Sequence, residues 1–266
     1  MEHSPAAQKI LGISATIWFI TAATGQLIFV YYLAMLYGWG TLTGNWQVWN
    51  TVMPKGYIDG DSLGNFAVSF HVLVAILIMT AGIVQLIPHI RQRCPHFHRW
   101  TGRFYISAAI LTSIAGLYLI WIRGGTAGDF TQHLGLSGDA LLIIVFAILT
   151  LYFAINRKLL EHRRWALRLF MVVNAVWFFR IGLMLWFTVH QAPVGIDTET
   201  FTGPFLSFLS FADYLIPLAF LELYLRAQES RSAIFQYLTA IVIFIATLAT
   251  VVGIFAAYMA LWGPRI

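Results

Sequence analysis

Cysteine is nearly missing from this chain: Cys94 stands alone in 266 residues. One thiol makes no intrachain disulfide and no Cys-x-x-Cys metal pair, which excludes a disulfide-stapled fold and thiolate metal chemistry. Charge is scarce as well, 10% of residues against about 25% in an ordinary soluble domain. The scarcer sign is negative, with 11 acidic residues against 16 Lys and Arg. The sequence contains no GxSxG, no HExxH and no P-loop, so an enzyme reading needs a bound cofactor or a lipid substrate.

What is present is apolar. Hydrophobic residues make up 59% of the chain, and they gather in seven runs: 10–37, 65–87, 104–122, 136–155, 169–189, 204–225 and 233–262. Each is near the ~20 residues that an α-helix needs to cross a bilayer core. The expected fold is therefore all-α, a polytopic bundle of seven transmembrane helices forming a single transmembrane domain over 1–266. The first run follows only nine residues and is too long for the apolar core of a cleaved signal peptide, so it is read as a retained span.

The basic residues fix an expected orientation, because short loops rich in Lys and Arg stay on the cytoplasmic side. Lys9, Arg91, Arg93, Arg99, Arg103, Arg157, Lys158, Arg163, Arg164, Arg168, Arg226 and Arg231 fall on one side, and Lys55, Arg123 and Arg265 on the other. Twelve against three puts the N-terminus in the cytoplasm and the C-terminus outside. The net charge of +5 then serves orientation and attraction to anionic lipid headgroups, with no role in nucleic acid binding. The longest piece between runs, 38–64, is broken by Pro54, Gly56 and Gly60, and reads as a short cap or re-entrant loop with Trp39, Trp46 and Trp49 at the interface.

Two of the basic loops resemble each other. Pro95 to Arg103 reads PHFHRWTGR, and Glu161 to Arg168 reads EHRRWALR. In both a His-Arg pair precedes a Trp, and an Arg follows that Trp by three residues, so Trp and Arg share a helix face. The repeat suggests two related hairpins. A stretch from about 66 to about 185 resembles a family of uncharacterised bacterial integral membrane proteins, domain of unknown function 2306. The resemblance rests on His71, Gln85, Pro88, Arg91, the HRWTGRFY run from His98 to Tyr105, Gly124 with Gly125, the HRRW run from His162 to Trp165, Arg168 and Arg180. It implies a membrane location and no mechanism.

Polar groups inside the runs are the candidate functional residues, since an ionisable group in hydrocarbon costs at least about 2.5–3.5 kcal/mol and is usually paired or functional. Arg180 lies twelve residues above Arg168, and Asp213 thirteen above Arg226. At ~1.5 Å per residue both come near the midplane, and a buried ion pair between them is expected. Counted likewise, His71 above His89 and Asp139 above Arg157 share a depth in the outer half, as a carboxylate orienting an imidazole. On the cytoplasmic side His98, Arg99, Trp100, Arg103, His162, Arg164, Trp165 and Arg168 are candidates for holding a phosphate or lipid headgroup, with plain interfacial anchoring as the blander role. His96-x-His98 lacks carboxylate or thiolate support, so no metal site is assigned.

These residues favour a protein that binds or moves a small polar or anionic ligand at its buried Arg, Asp and His pairs. Two alternatives stand beside that reading. One is a membrane oxidoreductase with b-type haem or quinone, for which His71 needs a second imidazole at its own depth from His133 or His190. The other is a structural or assembly subunit whose buried charges only fix helix packing.

Overall fold

Short polar residues and prolines set the starts of the long helices. Ser4 accepts from the Ala7 N–H at 3.4 Å, with Pro5 in the first turn. Asp61 accepts from the Gly64 N–H at 2.9 Å, and Ser232 from the Phe235 N–H at 3.3 Å. Asp129 and Gln132 form a reciprocal capping box, and Pro204 opens a helix after Gly203. Each device satisfies an amide N–H that the helix itself leaves free, or removes one.

The computed structural model describes residues 4–53, 55–124 and 127–266, so Pro54 and Gly125 lie outside the described residues. The first span is Pro5–Leu42, the second Ser62–Leu86, the third Pro95–Arg123, the fourth Phe130–Ile155, the sixth Pro204–Glu229 and the seventh Ala233–Arg265. All six are long and apolar enough to cross a membrane. The fifth is a bent pair, Leu159–Val173 and Ala175–His190, with 53° between the arms, and counting it as one span gives seven. Among the described residues there is no β-strand, only an isolated antiparallel bridge between Asp197 and Thr202. The protein is an all-α membrane bundle. Ile20, Leu77, Ile114, Ile148 and Leu248 are more than half exposed on five different spans, the surface that lipid chains cover.

Two expectations change in detail. The HRW motif is not in a loop, because the third span starts at Pro95, nine residues after the second span ends at Leu86, and the motif occupies its first two turns. Trp49 is not interfacial: it is 1% exposed and packs on Tyr37 at 4.8 Å between ring centroids, whereas Trp39 is 61% exposed.

The first span packs against the second and seventh, the second against the third, and the third against the fourth. The fourth meets the lower arm of the fifth and also the sixth, and the upper arm of the fifth lies against the sixth and seventh. The break in the fifth span is enclosed. Leu169, Phe170, Val172 and Trp177 are at most 1% exposed, and Asn174 at the break is 2% exposed. Asn174 donates from Nδ2 to the Phe170 carbonyl at 2.7 Å, which satisfies one acceptor that the interrupted helix frees.

Candidate functional site

Four ionisable side chains lie at one level in the bundle. His71, Asp139 and Asp213 each come nine residues after the starts of their helices at Ser62, Phe130 and Pro204, about 14 Å below the end that carries few basic residues. Arg180 lies ten residues before His190, where its helix ends, about 15 Å below that same far end. The sequence expectation set Arg180 and Asp213 near the midplane and His71 and Asp139 in the outer half; counted from the far end all four come to a similar level, and the partners are different.

Arg180 does not meet Asp213. Its guanidinium carbon lies over the Phe29 ring of the first span, 5.1 Å from the centroid, and Nη1 donates to the Val176 carbonyl at 3.1 Å. Tyr32 and Tyr37 lie within its electrostatic reach. Among the described residues no carboxylate stands within ion-pair distance of it. The reason is azimuth. On the upper arm of the fifth span, Trp177 touches Gly25 of the first span, and the Ile181 carbonyl touches Gly253 of the seventh. Arg180 belongs to that side. Leu183 packs instead with Leu206 and Leu209 of the sixth span, where Asp213 resides.

Around Arg180 the first, fifth and seventh spans build an aromatic chamber. Trp262 lies 5.1 Å from Phe29 and 6.5 Å from Tyr32 between centroids. Tyr37 lies 6.4 Å from Tyr32 and 4.8 Å from Trp49. Tyr37 and Trp262 both sit on π-helical turns, Ala34–Gly38 and Tyr258–Trp262. The wider turn alters which way a side chain points, and such turns recur at functional sites. Several hydrogen-bonding groups here have no partner although they are fully enclosed: the indole N–H groups of Trp49, Trp177 and Trp262, and the Gln26 carboxamide. Buried donors in membrane interiors ordinarily find acceptors. The chamber is rich in donors and carries a positive charge.

Asp139 and Asp213 lie within electrostatic reach of each other, which replaces the expected His71–Asp139 pair as well. His71 turns to the third span, with Nδ1 3.0 Å from the Thr112 carbonyl. Neither of the two imidazoles named for a haem, His133 and His190, is paired with it among the described contacts. The His133 ring stands against Trp121 at 6.0 Å, and the His190 ring lies on Trp186 at 3.7 Å.

At the basic end both repeated motifs place Arg over Trp. The distances are 5.2 Å for Arg103 and Trp100 and 4.6 Å for Arg168 and Trp165. His98 and His162 come within electrostatic reach of each other, so the two repeats converge. The anion expected there is largely supplied by the chain. Arg168 holds Glu222 through two bonds, 2.6 and 3.0 Å, while Arg164 pairs with Glu229 and with Glu161. Arg99 and Arg103 stay exposed and make no ion pair among the described residues. Glu222 and Glu229 were legible as partners, seven residues apart on one face of the sixth span.

At the far end Arg123 closes the second and third spans together. Nε donates to Asp61 Oδ2 at 2.8 Å and Nη2 to Asn65 Oδ1 at 2.9 Å. Arg123 first, and then the Gly64 N–H, hold the Asp61 carboxyl below the usual carboxylate range.

No curated protein and no solved structure matches the chain. The model of a family described as predicted membrane protein, DUF2306, matches residues 68–216. That is more than half of the chain and includes His71, Asp139, Arg180 and Asp213. The chain therefore belongs to the DUF2306 family of predicted membrane proteins.

Proposed function

We propose that this membrane protein binds and moves a small anionic ligand with an apolar body, a carboxylate foremost, held by Arg180. One observation carries the reading: a guanidinium embedded about 15 Å below the far end has no carboxylate partner among the described residues and lies over Phe29, in the aromatic cluster that also holds the unpartnered indole N–H groups of Trp49, Trp177 and Trp262. A guanidinium matches a carboxylate with two parallel bonds. The rings of Phe29, Tyr32, Tyr37 and Trp262 suit an apolar body. The twelve-to-three division of basic residues supports an N-terminus in the cytoplasm and a C-terminus outside, and the resemblance to bacterial integral membrane proteins supports residence in a bacterial inner membrane. In that orientation the chamber faces the outer half of the bilayer, and Arg99 and Arg103 are left to meet anionic headgroups at the inner surface.

The test is tryptophan fluorescence of the detergent-purified protein titrated with benzoate and with short alkyl carboxylates. A saturable change that is lost in Arg180→Met and weakened in Arg180→Lys supports the reading. The same saturable change in Arg180→Met overturns it.

A further inference from the structure

A second set of polar groups, on the other side of the fifth span, is built from oxygen acceptors. The fourth and sixth spans run in the same direction and touch closely. A Cβ on Gly135 would come 2.6 Å from the Ser210 carbonyl oxygen, and one on Gly138 would come 2.9 Å from the Tyr214 hydroxyl. That contact puts Asp139 level with Asp213. Asp213 is 4% exposed, and one carboxyl oxygen of each aspartate is enclosed without a partner. Four residues after Asp213 the sixth span carries Pro217 within the helix. Proline has no N–H to return to the carbonyl four residues back, so the Asp213 carbonyl also lacks its helical donor.

A cavity of about 140 Å³ leads to this group, lined by Ala127, Gln132, Val176, Ser210 and Asp213 among others. It has room for several waters. Ionisable groups within reach of Asp213 are Asp139 on the fourth span and Tyr214 on its own. The fifth span meets the cavity with Val176 and Phe179, both apolar. Among the described residues no basic side chain offsets the carboxyls.

We propose that Asp139, Asp213 and the freed Asp213 carbonyl form an exchangeable site for a monovalent cation, H⁺ or Na⁺, reached through this cavity. The chemistry fits. Two carboxylates side by side in hydrocarbon need a positive charge between them, and interrupted helices with free carbonyls serve Na⁺ and H⁺ in membrane transporters. Among the described residues no group of three or more His, Cys, Asp or Glu comes together, so a multidentate divalent site is not built. The site is separate from the Arg180 chamber and does not depend on that reading.

Dicyclohexylcarbodiimide tests it on the unmodified full-length protein in liposomes. A protonated carboxyl gives its proton to a carbodiimide nitrogen while its oxygen adds to the central carbon, and the adduct rearranges to a stable acylurea that mass spectrometry locates. The expected result is label on Asp139 or Asp213 that declines as pH rises. If NaCl suppresses the label where choline chloride at equal ionic strength does not, the cation is Na⁺, and Pro217→Ala should then weaken that protection. If only pH changes it, the cation is H⁺, and the infrared band of the protonated carboxyl should shrink in Asp213→Asn. Label that neither pH nor Na⁺ alters, or no label on either aspartate together with no such infrared band, overturns the proposal.

Discussion

Removing Arg180 separates two accounts of the buried charges by several kcal/mol. In an Arg180–Asp213 ion pair, deleting either partner would strand the other and destabilise by about 3–5 kcal/mol. In the structure the arginine has a different environment. Its burial in hydrocarbon costs about 2.5–3.5 kcal/mol. Against that stand the contact over Phe29 at 5.1 Å, about 1–2 kcal/mol, and the bond to the Val176 carbonyl at 3.1 Å, about 1.5 kcal/mol. The sum is near zero. Arg180→Met should therefore change stability by no more than about 1 kcal/mol while removing carboxylate binding. Asp213→Asn should be equally mild, and the double variant should show a coupling below about 0.5 kcal/mol. The assay is reversible unfolding in mixed micelles for the wild type, both single variants and the double variant. A coupling above about 1 kcal/mol would refute the geometry argued here.

Orientation is open to a direct check at Cys94, the one cysteine in the sequence, which is exposed at the basic end. A membrane-impermeant maleimide should leave it unlabelled in intact cells and label it after lysis, and labelling of intact cells would invert the topology. The Asp61–Arg123 contact predicts a pH effect of definite sign. Because the folded carboxyl titrates below its usual value, its contribution is present above about pH 4 and is lost as pH falls through the lowered value. The thermal midpoint should thus drop on acidification, and Asp61→Asn should remove that part of the drop. Helix packing gives a contrasting pair of variants. A Cβ on Gly253 would come 2.7 Å from the Ile181 carbonyl oxygen, while nothing lies within 4 Å of one on Gly12. Gly253→Ala should cost about 1–3 kcal/mol in micelle unfolding, and Gly12→Ala should lower stability by nothing measurable.

Depth was legible in the sequence, and azimuth was not. Apolar run length gave the number of spans, and the rise of ~1.5 Å per residue, counted from the basic end, put Arg180 with Asp213 near the midplane and His71 with Asp139 in the outer half. Which of them meet depends on how neighbouring helices are arranged around the fifth span, and that follows from packing over the whole bundle. One clue was available. Counting from the far end gives nine residues for His71, for Asp139 and for Asp213, from starts marked by Asp61, Asp129 and Gly203 with Pro204. Aspartate caps and a Gly-Pro pair are start signals that sequence alone supplies. Trp49 was misjudged for a related reason: interfacial tryptophans and tryptophans that close a chamber have the same composition signature, and only the turn Trp46–Thr51 folding back on Tyr37 distinguishes them.

The break at Asn174 explains why two unlike sites fit in one bundle. A straight fifth span would direct one continuous stripe toward each neighbour from end to end. With 53° between its arms, the lower arm packs on the fourth and sixth spans while the upper arm leans to the seventh. The upper arm then presents Trp177, Arg180 and Ile181 to the first and seventh spans, and Val176 and Phe179 to the cavity above Asp213. The cluster around Arg180 and the cavity above Asp213 thus lie against two faces of the same half-helix. Both are within a turn or two of the break, the part of the helix whose backbone bonds are incomplete. Any tilt of the upper arm about Asn174 would therefore shift both sites together.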